Sequence, residues 1–415
     1  MRSLRVLALA LWVCACGAPR VSPDSHGVSV LPGPCGRGLV VLESDYQSSN
    51  VSLLDFAGNV LTPSLTSSST VASGFAVSLG SDAVPPSSLE SGSRIVLIDR
   101  FPAGVLHFVD LASGNMDADL PVGTGFKANP QDYLQLAEHK AYVPRYNSNH
   151  NPGQQAWDAG GDLLLVDPTQ PEIVGRIDLS MAMVGEPPNF SAHPAQVVQV
   201  AGRVFALLAS YADDLLSGTT SRLVEIDPAS DSLLSTLLLD GLRGCVSLAA
   251  SPDQGELAVA CLGDGLASKP PRLTSSGVAL VDITDTPRFR RHFNAADWGA
   301  NPVGFGLDYA APGVLLISTL GYLEPSGDVG ALDTLLRLDT ASAQVDEVLR
   351  AEAQPFTLGA VRCAPTCGAC FVPDARRAGG SVLRLAVDDA GNVAAPMAIR
   401  AETQIGLPPR YLSVF

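Results

Sequence analysis

The chain has 415 residues and carries 26 Lys and Arg against 42 Asp and Glu, a formal charge of −16. Such a balance repels polyanions, so electrostatics argue against a nucleic-acid partner and against direct adsorption to anionic lipid. Charged residues make up 16% and hydrophobic residues 46%, against ~25% charged in ordinary soluble domains, so much surface must be buried and the remainder covered by Ser, Thr, Gly and Asn.

Residues 6–13 (VLALALWV) form an apolar run behind Arg2 and Arg5, the pattern of an export signal. A bilayer span needs about 20 apolar residues, so the run does not cross a membrane, and no later stretch does. The sequence Val13-Cys14-Ala15-Cys16 resembles the bacterial lipobox, in which a small residue precedes a cysteine that is lipidated and becomes the new N-terminus. The resemblance implies a signal peptide over residues 1–15 and lipidation at Cys16. Gly17, not an aspartate, follows that cysteine, which implies the outer membrane of a Gram-negative bacterium. The alternative is an ordinary signal peptide cleaved nearby. Acyl chains hold through about 0.8 kcal/mol per buried CH₂, and the mature chain can otherwise be soluble. Residues 16–34 then read as the lipidated cysteine and a Pro- and Gly-rich tether.

From residue 35 to 415 the texture is repetitive. A short Val, Leu and Ile run ending in aspartate recurs seven times, at Asp55, Asp110, Asp167, Asp227, Asp282, Asp339 and Asp388, with separations of 55, 57, 60, 55, 57 and 49 residues. A turn and another extended segment follow most copies, and an apolar segment precedes each, so every unit predicts a four-stranded antiparallel meander. The runs are nearly continuous in apolar residues, which requires both sheet faces to be covered, and radial stacking does this. The expected fold is therefore all-β, a seven-bladed β-propeller. Blade one lacks an opening strand while residues 409–415 (PRYLSVF) are surplus, so the C-terminal strand should join the first blade and close the ring. The first strand of blade two must lie within residues 62–93; without one, six blades and an insert remain. Each repeated aspartate reads as a turn former.

Tyr142-Val143 and residues 109–123 (VDLASGNMDADLPVG) resemble the repeat of YVTN-type bacterial surface propellers, whose strand-Asp-turn-strand motif ends in Pro-Val-Gly. The resemblance implies the fold and no particular activity.

Six cysteines remain after Cys14 and Cys16, and an even number in an exported chain suggests three disulfides. Cys245 and Cys261 stand symmetrically about the turn at Asp253, where opposed strand residues are close enough to bridge. Cys35 occupies the corresponding turn of blade one, next in the ring to Cys363, Cys367 and Cys370 of blade seven; Cys35 with Cys367 and Cys363 with Cys370 is the expected pairing. A thiol redox pair or a zinc site at Cys367-Gly-Ala-Cys370 competes with it, but the strand-to-helix context and a histidine at ligand spacing are missing.

No standard catalytic or nucleotide motif is present. The connections from second to third strand are long in four consecutive blades, at residues 146–161, 210–221, 263–277 and 318–333, and all emerge at one end. That face carries Tyr146, Asn147, Asn149, His150 and Trp157, then Tyr211, Asp213 and Asp214, then Lys269 and Arg272, then Tyr322, Glu324 and Asp328, with His193 and Trp298 on nearby inter-blade connections. Rings and amides together suit a protein or glycan partner; the competing reading is solvated loop residues packing on each other. Asp213-Asp214 could hold calcium, though a full oxygen cage is not countable, and no other cofactor is expected. The favoured function is a non-enzymatic binding or scaffold module of the envelope. The alternative is a channel-centred hydrolase, lactonase or dehydrogenase, which would need titratable groups from several blades to converge.

Overall fold

Val, Leu and Ile run through whole strands here, and the fold gives each such strand two dry faces. The second and third strands of blade one, Leu39–Ser44 and Ser49–Leu54, are buried at every position. Successive residues serve different neighbours, because side chains alternate across a strand. Leu39 and Val41 pack with Phe371 of blade seven, whereas Val40 and Leu42 pack with Ile95 and Leu97 of blade two. Val96 and Ile98 in turn meet Tyr133 and Leu164 of blade three.

The computed structural model describes residues 27–69, 79–88, 92–264, 273–299, 301–376, 380–401 and 404–415. Seven four-stranded antiparallel sheets stand around one axis, and seven apolar clusters fill the seven gaps between neighbouring sheets. The first strand of each blade lies innermost. In blade two it is only Ala83–Val84, which pairs with Ile98 and Asp99; Ser- and Pro-rich sequence around it hid so short a strand. Blade six carries an added hairpin, Tyr322–Leu323 with Val329–Ala331, between its second and third strands.

All seven repeated aspartates cap their own turns. Asp55, Asp110, Asp167, Asp227, Asp282, Asp339 and Asp388 accept backbone N–H bonds from Asn59, Ser113, Thr169, Ala229, Thr284, Ser342 and Asn392, at 2.8–3.0 Å. Asx caps of this kind fix where the third strand turns into the fourth.

Closure follows the expected route. Pro409–Val414 is the innermost strand of blade one and pairs with Leu39–Ser44, Leu412 opposite Val41 and Val414 opposite Leu39. Phe415 is 1% exposed, and its N–H donates to the Gly38 carbonyl at 3.0 Å. Three disulfides join Cys35 to Cys367, Cys245 to Cys261 and Cys363 to Cys370. The last two pairs are directly opposed in strand register. The first spans 332 residues and staples the entry of the chain to its last blade.

Part of the stretch read as a tether lies against the fold. Val28 packs on the cluster between blades one and two and donates its N–H to Leu111 O at 2.6 Å. An apolar residue beside a turn with a free carbonyl is enough to dock it. Residues 1–26, with the signal and Cys16, lie outside the described residues.

Buried Leu412 and Phe415 contribute on the order of 3–6 kcal/mol together, a large part of the ~5–15 kcal/mol that holds a typical domain. Deleting residues 409–415 is therefore expected to abolish cooperative thermal unfolding, and Phe415→Ala to lower Tm by several degrees. Circular dichroism melts check both; a truncated chain melting like the full one would refute closure by this strand.

Candidate functional site

The innermost strands line a central channel, and the second-to-third-strand loops crown one end of it. There a cavity of about 710 Å³ opens, lined by residues from all seven blades. Its rim is apolar and exposed: Tyr46 of blade one, Phe101 of blade two, Leu215 and Leu216 of blade four, and Phe305 and Phe356 of blade six and its exit. Exposed apolar side chains gathered at one concavity mark an interaction site more than scattered ones do.

Local chemistry forces these rings outward. Asp45 accepts the N–H groups of Gln47 and Ser48 at 2.9 and 2.7 Å, and Ser44 Oγ accepts that of Tyr46, so Tyr46 sits at a turn tip with φ 66°. Asp333 is wholly buried and takes the N–H groups of Gly321, Phe356, Thr357 and Leu358 at 2.7–3.0 Å. A buried carboxylate needs such donors, and meeting that need fixes the loop that presents Phe356. Arg145, also fully buried, pairs with Asp162 at 2.7 Å and donates to the Trp157 carbonyl, tying down the long loop of blade three.

Tyr146 and Tyr211 form one wall. Tyr211 Oη donates to Gly263 O at 2.8 Å, and burial, with Asp264 nearby, pushes its pKa up to about 12. Behind Tyr146 lies His193, ring centroids 4.6 Å apart. His193 is 3% exposed, and its Nε2 meets Ser191 Oγ at 2.9 Å while Nδ1 has no partner. Burial pushes its pKa down to about 4.

One polar position of the inner strands laces neighbouring blades through the channel wall. Asp132 of blade three accepts from Val197 N of blade four at 3.1 Å, and also from Ser87 N, Ser87 Oγ and Tyr133 N. Gln196 of blade four exchanges two bonds with the backbone of Leu248 in blade five, at 2.7 and 3.1 Å. Asp308 of blade six accepts from Cys363 N of blade seven and from Tyr309 N, both at 2.8 Å. Burial raises the Asp308 pKa to about 6, against the opposing field of Arg362. Two blades break the pattern: Ser247 of blade five is too short to reach across, and Arg362 of blade seven has no acceptor to offer. Ser247 Oγ and Arg362 Nε are buried without a hydrogen-bond partner.

Three guanidinium groups face the cavity. Arg100 bonds Asp82 at 2.5 Å and Tyr411 Oη at 3.1 Å. Arg410 donates to the Ser44 and Phe356 carbonyls at 3.2 and 3.3 Å and lies 4.9 Å from the Tyr46 ring centre. Arg362 reaches the Val361 carbonyl at 3.3 Å.

Of the residues expected on the binding face, Tyr146 and Tyr211 line the cavity. Asn149 closes its own loop through Asp158 O at 2.7 Å; His150 and Trp157 are exposed beyond it. Asp213 is exposed, and Asp214 accepts from Leu216 N at 3.0 Å, so it shapes the turn that presents Leu215 and Leu216. Tyr322 pairs with Glu324 on the added hairpin. Trp298 lies away from the mouth, in a groove of about 420 Å³ with Arg291 and His292, because the short helical turn at Ala295–Asp297 directs it there. Lys269 and Arg272 lie outside the described residues. Among the described residues no group of three or more His, Cys, Asp or Glu is placed to hold a metal ion. The sequence reading missed Tyr46, Arg100, Phe101, Ser247, Phe305, Phe356, Arg362 and Arg410, whose one signal was arginine at the start of an inner strand, Arg362 and Arg410, in a strongly acidic chain.

No family model and no curated protein matches this sequence. Solved structures do. The chain is similar to a protein from Lactobacillus plantarum, with 12% identity, a TM-score of 0.56 and coverage of 90% of this chain and 98% of that one. It is similar to the periplasmic gluconolactonase of Pseudomonas aeruginosa, with 14% identity, a TM-score of 0.54 and coverage of 90% and 98%. It is also similar to hydrazine synthase of Kuenenia stuttgartiensis, with 13% identity, a TM-score of 0.56 and coverage of 90% and 99%. These likenesses show the fold alone. The propeller is thereby supported from outside the chain, and its chemistry has to be argued from the site.

His193 gives the site wall a pH dependence. Its folded pKa of about 4 lies below the ordinary 6.5, so between those values the unfolded chain binds more protons and stability falls as pH falls. The loss is on the order of 3 kcal/mol by pH 4. His193→Asn, tolerated at φ 47°, should remove much of that slope; urea unfolding at pH 7.0 and 4.5 measures it, and identical slopes in both proteins would refute the assignment.

Proposed function

We propose that this chain is a ligand-binding propeller of the cell envelope whose channel mouth takes a glycan or a segment of another protein. The observation that carries the reading is the ring of Tyr46, Phe101, Leu215, Leu216, Phe305 and Phe356 around a cavity built by all seven blades. Rings give contact area at small entropic cost, and the guanidinium groups and backbone carbonyls beside them give orientation. The likeness to the lipobox supports export and anchoring: residues 1–15 direct the chain outward, and Cys16 carries the lipid that holds it to the outer membrane.

A second reading, hydrolysis of a lactone, is favoured by Asp308. A carboxylate with a pKa near 6 on an inner strand suits general-base work near neutral pH, and the similar Pseudomonas aeruginosa protein is a gluconolactonase.

Glycan-array and envelope-extract binding separate the two. The Tyr46→Ala, Phe356→Ala double variant is expected to lose captured ligand at least tenfold while keeping the melting temperature of the parent. Neither protein should hydrolyse D-glucono-1,5-lactone above the uncatalysed rate. Turnover of that lactone, abolished in Asp308→Asn, would replace the binding reading with the enzymatic one.

A further inference from the structure

The channel is asymmetric in its unmet hydrogen-bonding capacity. Among the residues that line the cavity, every carboxylate is already partnered: Asp82 by Arg100, Asp132 by its four donors, and Asp264 by Arg243 and the Gly218 N–H. The unpartnered polar atoms on that lining are donors. They are Arg100 Nε, Arg362 Nε and Ser247 Oγ, and Ser247 is 2% exposed. Buried donors left unmade are costly, and a structure that keeps them does so where something else completes them.

Their positions follow from the lacing pattern. Where Asp132, Gln196 and Asp308 spend their acceptors on the next blade's backbone, Ser247 and Arg362 each leave a buried donor unpartnered on the cavity lining. Asp308 stands beside Arg362 but gives both carboxylate oxygens to the N–H groups of Tyr309 and Cys363. In a chain of charge −16, Arg362 makes no direct salt bridge, and Asp308, whose pKa its field opposes, is already held by backbone donors, so the guanidinium keeps donor capacity for an arriving anion.

We infer that the inner channel is an oxyanion subsite, in which Arg362 and Ser247 receive the carboxylate of a small acidic ligand or acidic glycan end whose body rests among Tyr46, Phe305 and Phe356. The subsite deepens the binding reading given above and rests on it. A guanidinium presents parallel N–H donors, which suit the two oxygens of a carboxylate. Ser247 supplies a further hydroxyl on the same lining, and the aromatic rim above offers ring faces to the rest of the molecule.

Isothermal titration of the full chain with two matched pairs tests this: D-glucuronate against D-glucose, and benzoate against benzyl alcohol. At least one acid is expected to bind tenfold or more tightly than its neutral partner. Arg362→Met should cut that affinity at least tenfold, Ser247→Ala a few fold, and Arg362→Lys less than Arg362→Met, while Arg203→Met, far from the mouth, changes nothing. Melting temperatures of the Arg362 variants should equal or exceed the parent's, since an unpartnered buried donor is removed. Equal binding of acid and neutral, lost in the Tyr46→Ala, Phe356→Ala variant, would sink the oxyanion subsite and leave the mouth as a binding site. Binding by none of the four also overturns the subsite, and the array experiment then judges the wider reading by itself.

Discussion

Everything in this molecule depends on strands that are apolar on both sides. A sheet with one greasy face can be satisfied by a single partner; a sheet with two must be sandwiched, and an open stack always leaves its two outer sheets uncovered. A ring removes that end condition. The alternation of Val40 and Leu42 toward one neighbour and Leu39 and Val41 toward the other is the local form of the constraint. Its global form is seven apolar clusters, none of which belongs to a single blade.

Because no blade owns its core, closure is cooperative with everything else. The innermost strand of blade one comes from the far end of the chain, so its blade is incomplete until the last residues are in place. The Cys35–Cys367 link reinforces the same seam covalently. Cys245–Cys261 and Cys363–Cys370 act within single hairpins, where the register already sets the cysteines opposite one another.

The repeat was legible because it is local: a run, an aspartate and a turn, each readable within ten residues. The cysteine pairs followed from the repeat, since equivalent turns put them face to face. Blade two's inner strand was not legible, because two residues, Ala83 and Val84, carry no period. The site was legible only as a face. Long loops drew attention to blades three to six, yet in blades three and six much of their length is spent on themselves, Asn149 against Asp158 and Tyr322 against Ala331. Beside Tyr146, Tyr211, Leu215 and Leu216 of the long loops, the mouth is furnished by shorter loops and by single positions on inner strands. Phe356 is held by Asp333, 23 residues earlier, and Ser247 and Arg362 differ from their counterparts only once the lacing of the blades is known.

The docking of Val28 onto Leu111 has a geometric outcome. Val105–Asp110 runs from the loop that bears Arg100 and Phe101 to the turn beside Leu111, so the two lie at opposite ends of one strand, about 20 Å apart at 3.4 Å per residue. The leading segment thus arrives on the underside of the disc, and the opening looks the other way.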